Sequence, residues 1–483
     1  MSNIKQIRDF VEGDNYKWYK AKPSEGEAIH YTNKSLEKCL TDELTSEKAL
    51  EILEKYKNTF DIKLTASGFP KAAERSEEND STNYDAVWVR DAIWVYYYLV
   101  EFKPNDAKIL INKLCDYYRS HAQQQRFEQI ISQPSLAIDK MAVPHIRFDG
   151  NSPIYDDVMI DGKPQVWNHK QMDAHGLFLL ALADAYHRNT LDIKENELFL
   201  LLEKFFYFFD VIDYAEYADA GAWEEIGRVN TSSISLVSNA CTRWQQLLEE
   251  TCFKLTIDLN VLAKKGCDKV KAQVEAGGES PLYDINDVHY RTGDAALLHL
   301  FTPFSFDQLT HDESVFILES IDPLMYEFGI IRYKKDSYQA GNFWFEGESV
   351  SKEALTDDSS SLERFSERAM GQDSCSEAQW FFDSMLALSL LNIYEKQSLG
   401  NANGKEYLKK TAWHIKRALA QITAENFITA DGKEVVAELL PESINTIIFE
   451  DKRYYLPSPI TPLNWAKASL AMALKKFVTV KRV

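Results

Sequence analysis

The chain is poor in the residues that would make it a linker, a fibre or a stapled secreted module. Its 483 residues include only 19 Gly and 14 Pro, too few for a disordered or collagen-like composition. The six cysteines, Cys39, Cys115, Cys241, Cys252, Cys267 and Cys375, are scattered, with no C-x-x-C pair and no His at metal-ligand spacing. They are expected to be reduced thiols, and no zinc site, metal or organic cofactor is implied. Positive charge is also short: 54 Lys and Arg against 74 Asp and Glu give a formal net charge of -20. This disfavours a nucleic acid or an anionic membrane as the main partner, because both would be repelled, and it is compatible with a neutral ligand. No apolar run approaches the roughly 20 residues of a membrane span, and Met1 to Asp9 lacks the apolar core of a signal peptide. A cytoplasmic location is the default expectation, with export by a signal-independent route left open. Sustained period-two alternation is missing as well, which argues against a fold built on sheets.

What the chain has is apolar and aromatic side chains at helical spacing. Hydrophobic residues make up 45% and charged residues 27%, the balance of a globular protein long enough for one large domain or a few ordinary ones. Tyr, Phe and Trp reach 12%, a share that serves sugar stacking and core filling alike. Residues 1–42 are polar and mixed and read as an N-terminal extension, with one domain over 43–483. Helices are predicted over 46–56, from 92, and over 106–131, 174–187, 196–211, 232–247, 261–274, 313–328, 376–395, 405–421 and 464–476. The acidic, Ser-rich segment 345–373 reads as a surface insertion. Helix and loop alternate without a fixed period, so a short-repeat solenoid is not indicated. The loops that open the helices carry the Trp, Arg and acidic residues, as a toroid of paired helices with its site at one mouth would require.

One loop is organised for proton chemistry: Gly221-Ala-Trp-Glu-Glu-Ile-Gly-Arg-Val-Asn-Thr-Ser-Ser233. Adjacent Glu224 and Glu225 repel each other and Trp223 removes water, so one carboxyl can stay protonated near neutral pH as a general acid. Thr231 to Ser233 are suited to cap the helix that follows. A solvated loop with its Trp plugging the core is the plain alternative. At the predicted junction before Ala92, an acid such as Asp91 suits the helix dipole, whereas Arg90 needs a partner, for which Asp91 is one candidate. His169 and His175 are expected to cap or to sit at the surface, since two carboxyls suffice for the chemistry.

Four stretches matter together: Tyr84-x-x-x-Trp88-x-Arg90-Asp91, Trp167-x-x-x-Gln171-x-Asp173, Trp223-Glu224-Glu225, and Gly329 to Trp344 with Arg332, Tyr333, Asp336, Tyr338 and Asn342. Taken in order, they resemble the glucoamylase-like proteins of glycoside hydrolase family 15, a group that also includes the regulatory subunits of phosphorylase kinase. The resemblance covers roughly residues 60–476 and implies an all-α fold, the (α/α)6 barrel or six-hairpin toroid. It implies that Tyr84, Arg90 and Asp91 contact the terminal glucose, that Trp167 helps form the sugar platform, and that Glu224 is the general acid with Glu225 a substrate contact. Trp88 and Trp344 are candidates to stack on sugar faces, with core packing the alternative for each.

The family also implies inversion at the anomeric carbon, which needs a second carboxylate about 6.5 to 9.5 Å from the first. Glu442, in Leu439-Leu-Pro-Glu442-Ser ahead of Ser458 to Trp465, resembles the place of that base, although Ser443-Ile-Asn departs from the family's following residues. The activity implied is exo-acting release of glucose from non-reducing ends of α-1,4-glucans or maltooligosaccharides. Two alternatives stand beside it: a regulatory or glycan-binding module that does not hydrolyse, and a relative acting on α-1,6-glucan or trehalose. The partner implied is an α-glucan or oligosaccharide, and the oligomeric state is left open.

Overall fold

The computed structural model describes residues 2–74, 84–251, 253–336, 338–340, 362, 377–396, 402–449 and 452–481. The proposed insertion at 345–373, together with Asn342 and Trp344, lies outside the described residues, Leu362 apart. Six elements form a closed inner ring: Val89–Phe102, Met172–His187, Thr231–Glu249, the 3-10 turn Ala295–Leu300, Asp383–Lys396 and Asn464–Lys481. Each packs on the next, and the last returns to the first. Outer helices alternate with them along the chain. Ser46–Lys55 lies on Asn464–Lys481, Pro104–Tyr118 on Val89–Phe102, Leu259–Ala276 on Thr231–Glu249, His311–Ile321 on the 3-10 turn, and Ala402–Ala420 on Asp383–Lys396. Glu195–Val211 pairs with His121–Ser132 on the same outer layer. The fold is therefore the expected helical toroid.

Met172–His187 is apolar nearly all round because it is covered on both sides; every residue from Met172 to Ala183 is buried. Two of the inner helices approach so closely that a Cβ on Gly176 would come within 2.8 Å of the Leu236 backbone. The outer helices carry conventional start signals. Pro104 occupies a first turn, where its missing N–H costs nothing, and Thr310 forms a capping box with Glu313.

Several predicted boundaries move. The segment 106–131 is two helices, because the chain turns extended at Ser120 between them. The helix predicted to run to 328 ends at Ile321, where Pro323 enters a 3-10 turn, Asp322–Leu324. Arg90 and Asp91 lie inside the first turn of Val89–Phe102, which begins three residues before the predicted start at Ala92. Thr231, Ser232 and Ser233 do not cap their helix: Asn230 holds the cap position, and the three hydroxyls bond to Gly278, Glu279 and Asp219 instead. An antiparallel hairpin, Ser443–Phe449 with Lys452–Pro457, and its partner strand Gln379–Trp380 were not predicted. The described cysteines Cys39, Cys115, Cys241 and Cys267 are unpaired thiols. Among the described residues, no helix is long and apolar enough to cross a membrane.

Candidate active site

The loops that open inner elements meet at one end of the ring, and hydrogen bonds between them show it directly. Arg90, 2% exposed, donates from Nε to Asp173 Oδ2 at 2.6 Å, from Nη2 to Gln171 Oε1 at 2.6 Å and to the Gly221 carbonyl at 3.1 Å, and from Nη1 to Glu224 Oε1 at 3.3 Å. One guanidinium thus ties three motifs together. Asp173, itself wholly buried, is its main counter-ion, not the adjacent Asp91.

Glu224 follows the short 3-10 turn Gly221–Trp223 and takes a left-handed backbone, φ 59°. A non-glycine residue held there is strained, which the surrounding contacts must over-determine. Burial raises the Glu224 carboxyl above its ordinary value, while the charges of Arg90 and Arg147 and a hydrogen bond from Trp88 oppose the rise. Its side chain keeps 18% exposure, so it remains within reach of a ligand.

Glu225 faces the other way. It is wholly buried, and its carboxylate accepts from Tyr333 Oη at 2.6 Å, Arg332 Nη2 at 2.9 Å, Arg228 Nη1 at 3.3 Å and Arg291 Nη1 at 3.5 Å. Arg332 is also held by Asp336, through Nε at 2.6 Å and Nη2 at 2.6 Å. The neighbouring Trp223 donates from Nε1 to Asp294 at 2.8 Å and lies tilted against Phe382, 5.2 Å between centroids. The Glu doublet is split by the backbone turn: one carboxyl looks into the site and the other anchors an arginine cluster.

Glu442, 3% exposed, directly precedes the unpredicted hairpin. Tyr84 Oη donates to its Oε1 at 3.0 Å and Ser458 Oγ to its Oε2 at 3.1 Å. Burial pushes its carboxyl up to about 7, against those two hydrogen bonds and the Arg332 charge. Burial likewise raises Asp91 to about 7, with Arg90 opposing and Glu224 adding to the rise. The Asp91 charge bears on Glu442 too, so this aspartate stands within electrostatic reach of both candidate catalytic carboxyls.

Aromatic rings complete the walls. Tyr84 lies against Trp88 at 5.4 Å, and Trp88 meets Trp167 edge to face at 5.9 Å. Tyr338, whose hydroxyl is 3.4 Å from that of Tyr84, stacks on Trp380 at 5.9 Å. The Arg332 guanidinium lies over the Tyr338 ring at 4.7 Å. Sequence reasoning missed Trp380 and Arg147, and it placed Ser458 beside the base only as the start of the stretch Ser458 to Trp465, without a role. Trp380 alone had a signal, an aromatic run immediately before an apolar helix, the pattern that marks Trp88.

His169 and His175 are not capping or surface residues. Both are buried: His169 stacks on His145 at 3.5 Å and His175 bonds to Tyr118 at 3.0 Å. Burial holds both below the usual imidazole range, His175 down to about 3, so they are neutral packing groups.

A family model for Glycosyl hydrolases family 15 matches residues 60–252. The uncharacterized lipoprotein YgeQ of Escherichia coli (strain K12) is 39% identical over 172 residues, 34% of this chain and 62% of that protein, so the match takes in less than two thirds of the relative. Among solved structures, a glycosidase variant in complex with glucose superposes with a TM-score of 0.52 at 16% identity, covering 91% of this chain and 100% of that one. The glucoamylase of Hormoconis resinae gives a TM-score of 0.54 at 14% identity, covering 89% of this chain and 73% of that one. At these identities the solved structures show a shared fold.

Proposed function

We propose that the chain, which matches the Glycosyl hydrolases family 15 model over residues 60–252, is an exo-acting, inverting glucan α-glucosidase releasing glucose from the non-reducing ends of α-1,4-glucans or maltooligosaccharides. The observation that carries this reading is the gathering of Glu224 and Glu442, both raised above the ordinary carboxyl range, around Asp91 at a rim lined by Arg90, Trp88 and Tyr84.

Glu224 is the acid: its proton passes to the glycosidic oxygen as the bond from that oxygen to the anomeric carbon breaks. Glu442 is the base. Ionised, it takes a proton from a water whose oxygen bonds to the anomeric carbon from the opposite face, so the sugar leaves with inverted configuration. Tyr84 and Ser458 fix the direction of the Glu442 oxygens by donating to both of them. Asp91 accepts from sugar hydroxyls, and Arg90 holds Asp173, Gln171 and Glu224 in register. Glu225 acts on the substrate at one remove, by aiming Arg332 from beneath. Trp167, Tyr338 and Trp88 supply flat apolar surface for the sugar faces.

Incubation with maltooligosaccharides, following free glucose and its anomeric form by NMR, tests the proposal. β-Glucose is expected first. α-Glucose as the initial product would remove inversion, and no glucose at all would favour a glycan-binding module. Glu224→Gln and Glu442→Gln are each expected to cut turnover by roughly 100-fold or more, the scale of lost general acid or base catalysis.

A further inference from the structure

The wall beside Glu224 has a cation behind it that the scheme above does not use. The two-residue strand Val87–Trp88 pairs with Arg147–Phe148, placing Trp88 opposite Arg147. The Arg147 guanidinium lies 4.6 Å from the Trp88 ring centroid and 4.1 Å from that of Trp167, filling the angle between the two rings. Its Nη1 donates to Gln165 Oε1 at 2.7 Å, and the residue is 2% exposed. These two ring contacts and the Gln165 bond hold the guanidinium plane: a guanidinium between two indoles restrains both rings, which a flexible ammonium would not achieve.

The same charge acts on the candidate acid, whose carboxyl it pulls down against burial. The groups that bear on Glu224 are Arg90 at 3.3 Å, Arg147, Asp91 and the Trp88 indole. On its far side Arg147 has the stacked His145 and His169, of which burial keeps His169 neutral.

We propose that Arg147 is a positioning residue for Glu224: it locks Trp88 and Trp167 into a single wall and, with Arg90, stabilises the carboxylate left when the Glu224 proton departs. The inference rests on Glu224 as the acid. Arg147 itself exchanges no proton and touches no sugar; it sets how readily the O–H bond of Glu224 gives up its proton, and where the rings beside it stand.

Two variants separate the roles. Arg147→Met removes the charge, so the alkaline limb of the pH–kcat/KM profile is expected to move up by roughly one pH unit, the scale of a lost nearby charge. Arg147→Lys keeps the charge and loses the planar clamp. Its limb is expected to stay in place while KM for maltotriose rises about tenfold, as a misplaced wall would give. Circular dichroism and thermal melts establish that each variant is folded. An unmoved limb in a folded Arg147→Met protein, or an unchanged KM in Arg147→Lys, overturns the proposal. Carboxyl NMR titration of Glu224, assigned through Glu224→Gln, reads the same shift without turnover. A wild-type protein that cleaves no glucan yet shows the shift would end the hydrolase reading while leaving the electrostatic role of Arg147 standing.

Discussion

Tyr84 donates its phenolic hydrogen to Glu442 at 3.0 Å, a bond between residues 358 positions apart. With the Ser458 hydroxyl on the other oxygen, it favours the ionised carboxyl and so opposes the burial that lifts Glu442 to about 7. Removing either donor is expected to raise that value further. Tyr84→Phe and Ser458→Ala should therefore move the acid limb of kcat/KM, near pH 7 in the wild type, upward. Each should also lower activity about tenfold or more below it, since a hydrogen bond to a charged group contributes roughly 1.5 to 3 kcal/mol. Rates measured from pH 5 to 9 check this, and a limb that moves down or stays fixed rules out Glu442 as the base.

How far the sequence spoke depends on the kind of signal each residue leaves. The ring helices were legible because long buried segments keep an apolar pattern whatever they pack on, and Arg90 was legible because an arginine at the head of an apolar helix needs a partner. That the partner is Asp173 and not Asp91 was not legible, since it depends on how two ring helices are set beside each other. The 3-10 turn Ala295–Leu300 takes a helix's place in the ring with six residues, too few to show periodicity. Ser458 is a single residue in irregular chain, and Arg147 lies in a strand of two residues, too short to show alternation. Pairing of Gln379–Trp380 with the hairpin at Ser443 is set by tertiary contact, not by local preference.

Glu442 should also trade stability for function. Its folded value, about 7, lies above the ordinary 4.5, so the protonated form is favoured in the folded state. That contribution is fully present below about pH 4.5 and is lost as pH rises through about 7. Glu442→Gln keeps the shape without the charge. It is expected to be more stable than wild type at pH 8, by on the order of 2 kcal/mol, and no more stable at pH 4.5. Denaturant titrations at the two pH values decide the matter; equal differences at both would mean that Glu442 is not desolvated as the structure has it.

The two members of the Glu doublet should fail in opposite ways. Glu224→Gln removes a side chain with partial solvent access, and Arg90 retains Asp173 and Gln171, so the melting temperature should hardly change. Glu225→Gln leaves Arg228, Arg291 and Arg332 sharing a buried site without their common carboxylate. Breaking a buried pair in this way costs about 3 to 5 kcal/mol. A folded Glu225→Gln protein with an unchanged melting temperature would show that the cluster is not the anchor of Arg332.

The proposed extension, residues 1–42, bears on the base through the hairpin. Ile7, Phe10, Tyr16 and Trp18 pack with Phe427, Ile428, Val435, Ile447, Leu456 and Tyr454 in a small core separate from the main one. Trp18 Nε1 donates to the Tyr455 carbonyl at 3.1 Å, and Tyr455 N donates to Tyr16 Oη at 2.7 Å. Tyr455 pairs with Thr446, three residues from Ser443 and four from Glu442, so slack at this contact passes along two short strands to the carboxylate. Trp18→Ala is expected to destabilise the protein by about 1 to 3 kcal/mol, less than for a fully buried aromatic because Trp18 is half-buried. It should lower kcat more than KM, because the hairpin carries the base and none of the proposed sugar contacts except through Tyr84. Steady-state kinetics on maltotriose beside a thermal melt separates the two effects; a fall in melting temperature with kcat intact would make residues 1–18 a stabilising strap with no influence on the position of Glu442.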